Sequence, residues 1–154
     1  MIGTRKPFDP QLHVDNDQAA RLAVLRYLDR NSLGGWGDNP DQYGVDLIRY
    51  SSKDGTIAMG VECEIKRVWS GPDFMYDTLQ LPARKQKFSK LPYPVEFWIL
   101  NKELTHALVI PSGVLAEYTP TEVRNKYVSA GEHFYQVPVD RCNLLELQVG
   151  DTSI

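Results

Sequence analysis

What is scarce in this chain narrows the possibilities quickly. Its two cysteines, Cys63 and Cys142, are far apart and share no C-x-x-C spacing, and the three histidines (His13, His106, His133) stand alone, so no zinc site is spelled out. Cys63 falls in a strand-like stretch and reads as a buried free thiol of a reducing compartment rather than half of a disulfide. The longest apolar runs, Phe97 to Leu100 and Ala107 to Ile110, are far too short to span a bilayer. Residues Met1 to Pro10 carry charge and proline without an apolar stretch. The expectation is a cytoplasmic chain with no membrane partner. An excess of one charge is missing as well: 17 bases against 20 acids leave a net charge of −3, so any polyanionic partner has to be argued from where the charges lie. A nucleophile elbow, a glycine-rich phosphate loop and a histidine dyad are all lacking, which leaves a small-molecule hydrolase without machinery and gives no sign of an organic cofactor. Repeats, low-complexity tracts and linkers are absent too, so residues 1–154 read as a single domain.

What is present is an ordinary globular pattern, 42% apolar and 24% charged with ten scattered prolines. Ala19, Leu22, Ala23, Leu25 and Leu28 recur at helical spacing behind the capping candidates Asp15, Asn16 and Asp17, predicting a helix over residues 15–30. Residues 32–43, with Gly34, Gly35, Gly37 and Pro40, read as loop. Residues 45–50 and 56–69 read as strands. The second alternates Val61, Cys63 and Ile65 on one face with Glu62, Glu64 and Lys66 on the other. A hairpin loop of Lys53, Asp54 and Gly55 sets Ser52 opposite Thr56 and gives Gly55 a left-handed position. Asp46 then faces Glu62 and lies diagonal to Glu64 on the charged side. A two-residue turn would instead set Asp46 opposite Cys63 on the apolar side, where an unpaired carboxylate is costly. Beyond a Gly71–Pro72 break, a short helix is expected from Pro82 to about Lys90, a hairpin over 95–100 and 104–110, helical structure over 120–128 and a strand over 134–139. Trp69 and Trp98 are expected in the core.

Carboxylates on neighbouring strands beside an ammonium group suit metal-assisted phosphodiester hydrolysis, in which a divalent ion stabilises charge on the phosphate and acidifies a water. Asp46 and Glu64 would supply carboxylate oxygens and the backbone carbonyl of Ile65 a third ligand, while Lys66 would orient the water and offset charge. Glu62 fits either a further metal ligand or an outward charge. Glu-x-Lys alone is a weak signal, and its setting on an alternating strand behind an Asp-bearing strand makes it narrower.

"Gly-Val-Asp-Leu-Ile" followed by "Val-Glu-Cys-Glu-Ile-Lys" resembles the core signature of the PD-(D/E)xK nuclease superfamily, which includes restriction enzymes, junction resolvases and many phage nucleases. The match gives Asp46 the Asp position, Glu64 the (D/E) position and Lys66 the Lys position as catalytic residues, with Val45 where the motif has Pro. The resemblance implies an α/β, restriction-endonuclease-like fold: a mixed central sheet flanked by helices, with one helix before the catalytic hairpin and a basic helix after it. It also implies Mg²⁺ as cofactor, with Mn²⁺ able to substitute, and DNA as partner, cut to leave 5′-phosphate and 3′-hydroxyl ends. No Gln-x-x-x-Tyr follows, which argues against the RecB-like exonuclease branch. Asp17, on the first helix, is a weak candidate for assisting the metal.

Arg84, Lys85, Lys87 and Lys90 form an acid-free basic stretch directly after the hairpin and are the candidate phosphate contacts. Trp36 and Tyr43 suit either base stacking or plain packing. Small size without an appended recognition domain favours a structure-directed or weakly specific endonuclease of the kind phages carry, and a homodimer would supply paired sites for cutting a duplex. The other reading is a catalytically inactive nuclease-fold protein serving as a nucleic-acid-binding or assembly module, its carboxylates engaged only in ion pairs.

Overall fold

A computed structural model of the chain describes residues 10–31, 34–41, 43–51, 53–123 and 132–147, and the side chains of the first segment from Gln18 onward. The order is α1 (Pro10–Asn31), β1 (Trp36–Asp38), β2 (Leu47–Tyr50), β3 (Ile57–Ile65), β4 (Thr78–Pro82), a 3₁₀ helix (Ala83–Lys90), β5 (Val95–Leu100), β6 (His106–Pro111), a 3₁₀ helix (Ser112–Glu117), β7 (Thr121–Glu122), β8 (His133–Pro138), a 3₁₀ turn (Val139–Arg141) and β9 (Asn143–Glu146). Six strands form a mixed sheet in the order β1-β2-β3-β5-β6-β9, and β4-β8-β7 form a second, three-stranded sheet. Only the β3–β5 pairing in the large sheet is parallel. A parallel pair needs a crossover, and this one consists of β4 and the 3₁₀ helix Ala83–Lys90.

The two faces of the large sheet bury different partners. On one, Ala20, Val24 and Leu28 of α1, spaced four residues apart, pack with Leu47, Val61, Cys63, Trp98, Leu100 and Val109. On the other, Ile48, Val95, Phe97, Ile99, Leu108 and Ile110 meet Leu79, Leu81, Phe88, Leu115, Tyr135 and Val137. The central sheet is thus mixed, as expected, but among the described residues an α-helix flanks only one face. The second face is covered by the small sheet and 3₁₀ helices. Trp69 and Trp98 are both in the core.

Several local expectations are corrected. Leu22, counted on the apolar face of α1, is exposed. The helix starts at Pro10, so Asp15, Asn16 and Asp17 lie within it, and their side chains are outside the described part. The stretch read as loop contains β1, and the Pro82 segment is 3₁₀ rather than α. Of residues 120–128, Thr121–Glu122 is strand, and 124–128 lie outside the described residues. Neither cysteine is in a disulfide. No helix among the described residues is long and apolar enough to cross a membrane.

The hairpin register that matters for function arises in two steps. Gly55 has φ 75°, and Ser51 N–H donates to the Thr56 carbonyl at 2.7 Å, so the turn sets Tyr50 opposite Ile57. This is one residue away from the expected Ser52–Thr56 pairing. A bulge between Arg49 and Tyr50 then shifts the ladder, and from Arg49↔Met59 to Leu47↔Val61 it runs in the expected register. Continued one step, that register brings Asp46 to Glu62.

Candidate metal and nucleic-acid site

Asp46 lies just before β2, where the strand-to-strand ladder runs out of backbone partners. Its own carbonyl accepts from Asn39 N–H at 3.1 Å, and its side chain turns toward β3, where Oδ2 accepts from Cys63 N–H at 2.8 Å. The carboxylate thereby stands in for the missing β2 carbonyl with a charge-assisted bond. Val45, one residue earlier, is fully buried against the second face of the sheet. Asp46 is therefore anchored from both sides.

Glu62 faces the crossover. From there Lys85 reaches in, its Nζ 2.7 Å from Glu62 Oε2, with the two side chains only 14% and 12% exposed. The periodicity of the 3₁₀ helix explains why this lysine points inward. At three residues per turn, positions i and i+3 eclipse, so Lys85, Phe88 and Leu91 share the inner face and Arg84, Lys87 and Lys90 form an exposed row. Lys85 and Lys87 flank the Phe88 ring at 5.9 and 5.0 Å. Lys85, expected to contact phosphate, is instead the counter-ion of the acidic pair. In the exposed row, Arg84 makes a long ion pair with Glu132 at 3.7 Å.

Burial raises the Glu62 carboxyl to about 7; Lys85 works against the rise and the adjacent Asp46 carboxylate adds to it. Its second oxygen, Oε1, is buried and accepts from no donor among the described residues. Two carboxyl groups this close need either a proton held between them or a cation to offset their repulsion. The donor set is all oxygen, which suits Mg²⁺ or Mn²⁺ over softer ions. Among the described residues no group of three or more His, Cys, Asp or Glu is placed to hold a metal. Mg²⁺ does not require one, because it retains several waters and commonly takes one or two carboxylates.

Glu64 lies one step further along the face of β3 that carries Glu62, paired in register with Ile99, and is half-buried. Its side chain makes no hydrogen bond or ion pair with a described residue. Ile65 ends β3 opposite Leu100 and packs toward α1. Lys66 follows, with its N–H on the Leu100 carbonyl at 2.8 Å and its carbonyl accepting from Trp69 N–H at 3.0 Å. The Lys66 side chain is in no ion pair among the described residues and lines a cavity of about 280 Å³ with Val68, Tyr76, Thr78 and Gln80. The site therefore has an inner part, Asp46–Glu62–Lys85, and an outer part, Glu64 and Lys66. Asp46 meets Glu62 across the register, whereas the sequence motif pairs it with Glu64.

A scan against known protein families finds no match, and a search of curated proteins finds none.

Trp36, offered as a stacking residue, is packed: it belongs to the α1-side cluster and has the Arg49 guanidinium 6.0 Å over its ring. Tyr43 is 79% exposed. The residue that sequence reasoning missed is buried Asn101. Its Nδ2 donates to the Gly71 carbonyl and to Thr105 Oγ1, both at 2.9 Å, and its Oδ1 accepts from Thr105 and His106 N–H at 2.8 and 3.0 Å. With Lys102 N–H on the Trp69 carbonyl at 2.7 Å, it ties the segment after Lys66 to the β5–β6 turn. The Asn-Lys-Glu turn that contains it was legible in the sequence; its reach across to Gly71 was not.

Proposed function

We propose that this chain is a Mg²⁺-dependent nuclease of the PD-(D/E)xK kind that hydrolyses phosphodiester bonds in DNA. The observation that carries the reading is the meeting of Asp46 with Glu62, whose Oε1 has no donor among the described residues, on the strand that also carries Glu64 and leads to Lys66, neither of whose side chains is paired with a described residue. The order of helix, carboxylate-bearing hairpin and basic 3₁₀ helix along the chain supports the reading.

Asp46 and Glu62 would hold the ion, and Glu64, two residues further along the same face of β3, would add a third carboxylate to that side of the site. A bound Mg²⁺ supplies Lewis-acid stabilisation of the phosphate and a more acidic water. Lys66 offsets negative charge developing on the phosphate and orients the attacking water. Arg84, Lys87 and Lys90, aligned on one exposed edge, hold neighbouring phosphates and set the register of the strand without reading its sequence.

One observation favours a second reading. Lys85 already gives Glu62 a counter-ion at 2.7 Å, as in a protein whose carboxylates have only a structural task and which binds nucleic acid without cutting it. Incubation of labelled plasmid, single-stranded, flap and four-way DNA with Mg²⁺ or with EDTA separates the two. The nuclease cuts at least one of these with Mg²⁺ and none with EDTA. Asp46→Ala, Glu64→Ala and Lys66→Ala fold as the parent does and lose cleavage by at least about a hundredfold. Binding without scission, indifferent to metal, establishes the second reading instead.

A further inference from the structure

The cavity beside Lys66 has walls of distinct chemistry. β4 alternates: Leu79 and Leu81 enter the core, while Thr78 and Gln80 line the cavity and make no side-chain hydrogen bond to a described residue. At the rim stands Tyr76, 48% exposed. It is held in place by a chain of edge-on ring contacts that begins inside the protein. Fully buried Trp69 packs against Phe74 with centroids 5.3 Å apart and planes at 90°, and Phe74 packs against Tyr76 at 5.6 Å and 70°. Val68, 59% exposed, adds an apolar surface. Exposed aromatic and apolar side chains are thus gathered around one ammonium group and two polar side chains that bond to no described residue.

We propose that this cavity receives a single unpaired nucleobase, with the adjoining phosphate against Lys66, so that the substrate is single-stranded or locally opened nucleic acid. The inference rests on the nuclease reading and narrows its substrate. A preorganised tyrosine ring offers a stacking platform that accepts any base. The Gln80 amide and Thr78 hydroxyl each both donate and accept, which suits the polar edge of a base. In a duplex those faces and edges are already engaged, and a cavity of about 280 Å³ admits one ring system but not a double helix.

The test is fluorescence anisotropy of the full chain in EDTA, so that nothing is cut, with a labelled single strand and the corresponding duplex. Wild type binds the single strand more tightly. Tyr76→Ala, folded by circular dichroism, lowers the ratio of single-strand to duplex affinity about tenfold, and Tyr76→Phe retains it. An unchanged ratio in Tyr76→Ala overturns the inference, as does a free nucleoside monophosphate that competes as well as the strand. If wild type cuts DNA with Mg²⁺ but Tyr76→Ala leaves the ratio unaltered, the base site alone is wrong. If wild type neither binds nor cuts any nucleic acid, the nuclease reading falls with it.

Discussion

Burial keeps a proton on Glu62 up to about pH 7, while the same side chain in an unfolded chain releases it near 4.5. Below pH 4.5 the carboxyl is protonated in both states and favours neither. Between 4.5 and 7 the unfolded chain loses a proton that the folded protein retains, so stability falls as pH rises through that window, by at most about 1.4 kcal/mol per pH unit. Above 7 this group contributes no further change. Denaturant titrations in EDTA at several pH values show this decline in wild type. Glu62→Gln flattens it, and costs Lys85 its charged partner only above about pH 7, where the wild-type carboxyl is ionised. A wild-type profile that rises from pH 5 to 7 contradicts the assignment. The sequence placed Glu62 on the charged face but left its role open, because alternation gives the side of a strand and not the depth at which a later segment will cover it. Here the cover is Lys85, 23 residues on.

Among the elements, β3 carries the site because it is central, anchored by β2 on one side and β5 on the other. Gly60 permits the close fit on that strand. A Cβ there would lie 2.8 Å from Val45 Cγ2 and 2.9 Å from Tyr93 Cε1. Gly60→Ala is expected to cost roughly 1–3 kcal/mol in denaturant unfolding and, by displacing Val45, to disturb Asp46 beside it. Wild-type stability in that variant removes the argument. The 3₁₀ helix Ala83–Lys90 makes a separate prediction. Replacing Arg84, Lys87 and Lys90 together by Ala weakens DNA binding and makes its logarithmic salt dependence shallower by roughly 2–3. An unchanged salt slope would remove this edge from the interface. The basic stretch was visible in the sequence, but a period of 3.6 does not reveal that Lys85 turns in while Lys90 stays aligned with Arg84. Thr78–Pro82 does alternate as a strand, yet reading Pro82 as a helix start hid it. The Asp46–Glu62 register was legible because the only competing register puts a carboxylate on the apolar face, although the turn that produces it differs and is compensated by a bulge.

At the scale of the molecule, two apolar layers press on one sheet, and the site lies where the crossover layer meets the central strand. The helix-covered face could be read from local periodicity, whose spacing predicts α1 and the apolar side of β3. The other layer joins residues 78–82 to 133–138, a pairing of distant segments for which no local pattern gives a cue. That layer brings Lys85 to Glu62 and builds the Lys66 cavity, so the part of the site least visible in sequence is the part that distinguishes a metal centre from a buried ion pair. Titration calorimetry of Mg²⁺ into wild type and Asp46→Ala decides between them most directly. The account predicts a saturable Mg²⁺ site in wild type that is lost in Asp46→Ala; no Mg²⁺ binding by wild type, or equal binding by both proteins, would contradict it.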